Sequence, residues 1–181
     1  NESSHNKREY GENMMNILIR PETSTDHDAI EQLTIAAFLT APHTDHNEQL
    51  IVCDLRKAGA LSLSLVAELE GKVVGHLCFS PVSITDGSEK WFGLGPISVS
   101  PEMQGKGVGS RLMKAGLAAL EANGAAGCVV LGDPGFYGRF GFVADAHLVL
   151  PGVPAEYFMV RRFDDERARG EVSYHAAFTQ G

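Results

Sequence analysis

Gln104-Gly105-Lys106-Gly107-Val108-Gly109 comes right after the apolar run Leu94 to Val99. The pair reads as a strand that runs into a glycine-rich turn and then opens a helix. Glycines let the backbone turn tightly and approach a ligand closely. A helix start presents unpaired N–H groups and the positive end of its dipole. Together these features make a site for a phosphate or pyrophosphate. Two familiar phosphate loops do not fit. A Walker A loop needs Gly-Lys-Ser/Thr preceded by a distant glycine, but Gly107 follows Lys106 and Ser100 stands at the distant position. A dinucleotide fingerprint, G-x-G-x-x-G, fails at Ser110 from one start and at Leu112 from the other.

At 181 residues, one domain is expected. Hydrophobic content of 44% is enough for a packed core. The formal net charge is -8, and the pI is near 5.3. That argues against a nucleic-acid or anionic-membrane surface, because phosphate binding needs a basic face. It suits a cationic acceptor such as an amine. Cys53, Cys78 and Cys128 are odd in number and widely spaced, which implies neither a disulfide framework nor a zinc site. Cys78 and Cys128 sit in apolar runs as small core residues, and a reducing cytoplasm is the expected compartment. No apolar run is long enough to span a membrane. Residues 1–13 are polar and lack the apolar stretch of a secretory signal. They are read as a disordered leader or expression remnant before Met14-Met15, leaving 14–181 as the domain.

Ile17 to Pro21 reads as a short strand stopped by proline. Thr25-Asp26-His27-Asp28 has the form of a capping box, and Ile30, Leu33, Thr34, Ala37 and Phe38 follow at helical spacing. A second helix is expected from about Asp45 to Ala58, ended by Gly59. Leu63 to Leu69 and Val73 to Phe79 form a hairpin through Glu70-Gly71-Lys72. Trp91 to Val99 is the next strand. Leu112, Met113, Gly116, Leu117 and Leu120 mark an amphipathic helix that Gly124 ends. Gly127 to Leu131 reads as a buried strand. After Pro134 to Phe142 come two more strands, His147 to Leu150 and Tyr157 to Phe163, and an apolar tail, Val172 to Phe178. The order β-α-α-β-β-β-α-β-(short α)-β-β is that of a mixed sheet with helices on its faces.

Q-G-x-G-x-G resembles the acetyl-CoA pyrophosphate loop of the GNAT superfamily of N-acetyltransferases, with Gln104, Gly107 and Gly109 at its fixed positions. The element order is also that of this fold, a mostly antiparallel sheet of about seven strands with helices on both faces. Leu94 to Pro101 resembles the strand that carries the cofactor's acyl arm. Phe136-Tyr137-Gly138-Arg139-Phe140-Gly141-Phe142 resembles the signature near the thiol. With Tyr157 to Phe163 and the closing Tyr174-His175-x-x-Phe178, the chain is most similar to the YhbS-like group of acetyltransferases.

The resemblance implies transfer of an acetyl group from acetyl-CoA to an amine by direct attack. It places the cofactor on Ile97, Ser98, Val99, Gln104, Gly105, Lys106, Gly107, Val108, Gly109, Ser110, Phe136, Tyr137 and Phe140. Lys106 is either a phosphate partner or a solvated loop lysine. Arg111 reads as surface. A β-bulge is expected at about Ile97 to Val99, freeing main-chain groups for the pantetheine arm, with the Val99 amide on the thioester carbonyl. Tyr137 is the expected general acid at the sulfur; the competing reading is an aromatic plug between Phe136 and Phe140. Arg139 touches either the cofactor or the solvent.

Many relatives carry a catalytic glutamate on the fourth strand, but Trp91 to Val99 has none. Glu48 is the chosen base, since a partly buried carboxylate can be tuned for that work. His43, His46, Asp45 and a water chain are its competitors. His43-x-x-His46 has no evident third ligand, so no metal is read there. His76 reads as a structural residue of an apolar strand, and His175 as its equivalent in the tail. A polyamine, an aminoglycoside or a basic peptide would each suit the acidic chain. The sequence leaves the oligomeric state open; an exposed edge strand near the C-terminus could pair across a homodimer. The rival function is a non-catalytic acyl-CoA-binding sensor on the same scaffold.

Overall fold

The computed structural model describes residues 16–42 and 44–179. The readings of 1–13 as a leader and of His43 as a candidate base lie outside the described residues. The elements are β1 (Leu18–Pro21), α1 (His27–Phe38), α2 (Glu48–Lys57), β2 (Leu63–Leu69), β3 (Lys72–Pro81), β4 (Ser83–Ile84), β5 (Trp91–Val99), α3 (Val108–Ala122), β6 (Gly127–Leu131), α4 (Pro134–Tyr137), β7 (Val143–Ala144), β8 (Leu148–Val149), β9 (Phe158–Arg162) and β10 (Gly170–Ser173). The main sheet has seven strands in the order β1-β2-β3-β5-β6-β9-β7. Only β5 and β6 run parallel in it.

Strand alternation divides the sheet into two faces. Leu65, Ala67, Leu77 and Phe79 meet Val108, Leu112, Met113 and Leu117 of α3 on one face. Val66 and Cys78 meet Ile30 of α1 and Val52 of α2 on the other. Burial of each large aliphatic side chain contributes roughly 1.5–3 kcal/mol. Missing side chains let α3 sit close. A Cβ on Gly116 would stand 2.6 Å from Leu77, and one on Gly75 would stand 2.9 Å from both Leu112 and Val108. Close seating holds the N-terminus of α3 beside the end of β5.

Several expectations need correction. The capping box is Thr23…Asp26, ahead of a 3-10 turn at Ser24–Asp26 that precedes α1. The Asp26 carboxylate accepts from the Thr23 N–H at 2.7 Å and pairs with Arg20 at 2.7 Å. Helix α2 starts at Glu48 rather than Asp45, because His46 has φ of 57°, a left-handed conformation that a helix cannot contain. Arg111 is half-buried and donates to the Ile17 carbonyl at 3.0 Å, so it anchors the chain ahead of β1. The tail strand β10 is not an edge: it lies between β4 and β8 in a separate three-stranded sheet. Its strand β4 escaped the sequence reading because two residues are too short for a period, whereas β8 falls within the expected strand His147 to Leu150. Among the described residues, no helix is long and apolar enough to cross a membrane.

Gly116→Val should force a branched side chain into Leu77 and Phe79. Overpacking of this kind is expected to cost about 1–3 kcal/mol in urea denaturation. The Arg20 guanidinium holds the Asp26 carboxyl far below the usual carboxylate range. That stabilisation is present above about pH 4 and fades as pH falls below it. Asp26→Asn should therefore lower stability at neutral pH and flatten the acid limb of a stability–pH curve.

Candidate functional site

Strands β5 and β6 pair only at Trp91↔Gly127, Phe92↔Cys128 and Gly93↔Val129. Beyond Gly93 they diverge, and β5 carries on against β3 alone. The bulge lies at this point, earlier than expected: Gly95 and Pro96, joined by a cis peptide, together oppose Cys78. The Cys78 thiol sits 3.3 Å from the Gly95 carbonyl, and burial pushes it up to about 12. Strict alternation would put Leu94 and Ile97 on opposite faces. The extra residue returns Ile97 and Val99 to the core that holds Leu94.

The ladder then decides which main-chain groups are free. The Ser100 N–H donates to the Val74 carbonyl at 2.9 Å, next to the pair Gly75↔Val99. In an antiparallel ladder such pairs alternate, so the N–H and C=O groups of Val99 and Ile97 point away from β3. They face the gap left by β6. The Gln104 side chain closes one of them, donating to the Val99 carbonyl at 3.1 Å. Ser98 differs from its neighbours. It pairs with His76, and its buried side chain faces away from the gap, so neither part reaches it.

At the end of β5 the chain turns through a 3-10 segment, Pro101–Met103, and the glycine loop. Gly107 caps α3 in the left-handed conformation, φ 87°, which a side chain would strain. Val108, Gly109 and Ser110 of the first turn, where a helix leaves its N–H groups without intrahelical partners, line an open cavity of about 550 Å³. Its wall takes Ile97, Val99, Gln104, Gly105, Gly107, Val108, Gly109, Ser110 and Phe136 from the expected set. Lys106 and Phe140 do not line it. Phe140 is 8% exposed and packs edge-on against Phe136 as part of the core. Arg139 does line it, with its guanidinium 5.0 Å from the Phe136 ring. Phe38 and Met103, read only as apolar spacing or not at all, line it too.

A second open cavity, of about 460 Å³, meets the first at Phe38 and Ile97. It occupies the gap between β5 and β6, with Leu94 to Ile97 on one side and Val130 and Leu131 on the other. Tyr137 and Glu48 both line it. Burial pushes the Tyr137 phenol up to about 12, with Asp133 adding to the shift. A glycine at 132 makes room for its ring. Glu48 stands at the first turn of α2, where its Oε1 accepts from the Thr44 hydroxyl. Its Oε2 is buried with no hydrogen-bond partner among the described residues. The same holds for the hydroxyl of Tyr174, whose ring lies over Gly93. The sequence signal for Tyr174 was the closing Tyr174-His175-x-x-Phe178, which gave it no role. His76 is buried, hydrogen-bonds Ser64 at 2.8 Å, and titrates low, about 4, because of that burial. This fits its structural reading.

The family model for the acetyltransferase (GNAT) family matches residues 12–142. The chain belongs to the GNAT family. It is 36% identical over 171 residues to the N-acetyltransferase YhbS of Escherichia coli K12, a protein described as uncharacterized, covering 91% of this chain and 99% of that one. The crystal structure of E. coli YhbS in complex with CoA superposes with a TM-score of 0.82 at 35% identity, covering 91% of this chain and 93% of that one. A GNAT acetyltransferase from Brucella melitensis, crystallised with acetyl-CoA, gives a TM-score of 0.80 at 46% identity, with coverage of 90% and 97%.

Gly109 gives the cleanest test of the loop in this GNAT chain. A Cβ there meets nothing closer than 3.8 Å, and its backbone is helical rather than left-handed. Gly109→Glu should thus leave the melting temperature nearly unchanged. Its carboxylate in the first turn should weaken acetyl-CoA binding about tenfold or more in calorimetry.

Proposed function

We propose that residues 14–181 form one acetyltransferase domain that moves an acetyl group from acetyl-CoA to a primary amine by direct attack. The observation that carries the reading is the gap beyond Gly93. Main-chain groups of Ile97 and Val99 face it, and it runs into a glycine loop at a helix N-terminus. A pyrophosphate suits that helix end by hydrogen bonding and by charge. The strand edge suits an extended arm with amide groups. When bound, acetyl-CoA supplies an activated thioester. The Val99 N–H would lie against its carbonyl oxygen, a donation worth on the order of 3 kcal/mol in comparable sites.

Glu48 takes the proton from the incoming ammonium, which frees the lone pair for attack. One N–C bond forms and one C–S bond breaks; the first proton having passed from Glu48 to solvent, Glu48 takes the second proton from the nitrogen as the amide forms. Tyr137 stays protonated at working pH and donates a hydrogen bond to the departing sulfur. A phenol at about 12 holds its proton more tightly than an ordinary thiol at about 8.5. Tyr137 therefore stabilises the thiolate, and solvent supplies the proton on release. The rival sensor reading draws on the absence of a glutamate from β5; a carboxylate oxygen in the second cavity weighs against it. Three unpaired cysteines suit a reducing compartment.

Calorimetric titration with acetyl-CoA, with ATP as control, followed by thiol release with a panel of amines, tests the proposal. Binding of acetyl-CoA without turnover of any amine would favour the sensor. Tyr137→Phe should lower kcat about tenfold or more while leaving acetyl-CoA affinity intact. Unchanged kcat would remove Tyr137 from the chemistry.

A further inference from the structure

Among the described residues, the second cavity carries one formal charge, that of Glu48. Its apolar wall includes Phe38, Ile51, Ile97, Val130, Leu131 and Phe178. Among the described residues, the polar side chains on it are Glu48, Tyr137 and Tyr174. Its 460 Å³ lies in the lower part of the range for small-molecule sites, about 300–1,000 Å³. Thr44 occupies one oxygen of Glu48, and the other is buried and orphaned, as is the Tyr174 hydroxyl. Buried polar atoms without partners are costly, and a buried carboxylate oxygen especially so. An ammonium has three N–H donors and can supply both. Beyond that nitrogen, an acceptor meets hydrocarbon.

We infer that the acceptor is a small primary monoamine with an apolar body, whose ammonium is bound by Glu48 Oε2 and the Tyr174 hydroxyl. The inference rests on the acetyltransferase reading above. A polyamine would place a second cation against a wall that holds no second carboxylate among the described residues. The hydroxyls of an aminoglycoside, or the amides beside a peptide N-terminus, would find almost nothing to bond. Apart from Glu48, no charged side chain among the described residues lines the cavity, so the net charge of -8 does not argue for a polycationic acceptor. A longer acyl chain would have no use for the free carboxylate oxygen.

The test compares 2-phenylethylamine and 3-methylbutylamine with spermidine, kanamycin and a short peptide with a free N-terminal leucine. Thiol release is measured with acetyl-CoA and with hexanoyl-CoA, and calorimetry follows the amines binding to CoA-saturated protein. The two apolar amines should exceed the other three in kcat/KM by about tenfold or more. Their affinity for the CoA complex should fall about tenfold in Glu48→Gln and by a smaller factor in Tyr174→Phe, which keeps the ring over Gly93. Preference for spermidine, kanamycin or the peptide would overturn the inference and leave the acetyltransferase reading standing. So would faster turnover with hexanoyl-CoA than with acetyl-CoA. Glu48-dependent binding of phenylethylamine with no transfer would support the cavity assignment and overturn the transferase reading. Neither binding nor transfer would overturn both.

Discussion

Two neighbouring parallel strands stop pairing after three residue pairs, and the rest of the site depends on that separation. Backbone N–H and C=O groups in a sheet are normally consumed by the adjacent strand. Here β6 leaves β5 at Gly93↔Val129, and the outward-facing groups of Ile97 and Val99 keep no ladder partner. Two residues against one at Cys78 accompany the divergence and shift the alternation. As a result Ile97 and Val99 face the core that holds Leu94 and border the first cavity. A regular strand would have turned them toward α1 and α2.

Small residues then set distances. Gly75 and Gly116 let α3 approach β3 until its first turn stands beside the end of β5. Gly93 and Gly132 do the same for the rings of Tyr174 and Tyr137. Both phenols reach the gap because a neighbouring strand or loop lacks a side chain. Burial raises the Tyr137 phenol, and it raises that of Tyr174 as well, so both remain donors. Among the described residues, the one carboxylate on the cavity comes from α2, far along the chain from Tyr137 in α4. The active-site proposal therefore draws on three separate parts of the chain.

Much of the scaffold was legible from residue pattern. Trp91 to Val99 and the core face of α3 have hydrophobic periods long enough to read, and glycines mark their ends. Short elements had no such signal: β4 and β7 are two residues each and exist through their partners. The capping box was displaced because Thr23 and Thr25 both precede an acidic residue by three, and only the contact with Arg20 decides between them. Site residues divided along similar lines. The glycine loop is contiguous, so its motif carried most of its lining. Ser98 and Phe140 sit within the same runs but point away, since neighbours in a strand or tight turn face different ways.

By itself, the sequence determined the family, the order of the main elements and the phosphate-type loop, because each is written in adjacent residues and local spacing. Only the tertiary structure decided where the strands part, which main-chain groups that frees, and that Glu48, Tyr137 and Tyr174 share one apolar cavity. Those facts depend on pairing between segments up to more than a hundred residues apart, and no local pattern carries the register of a distant strand.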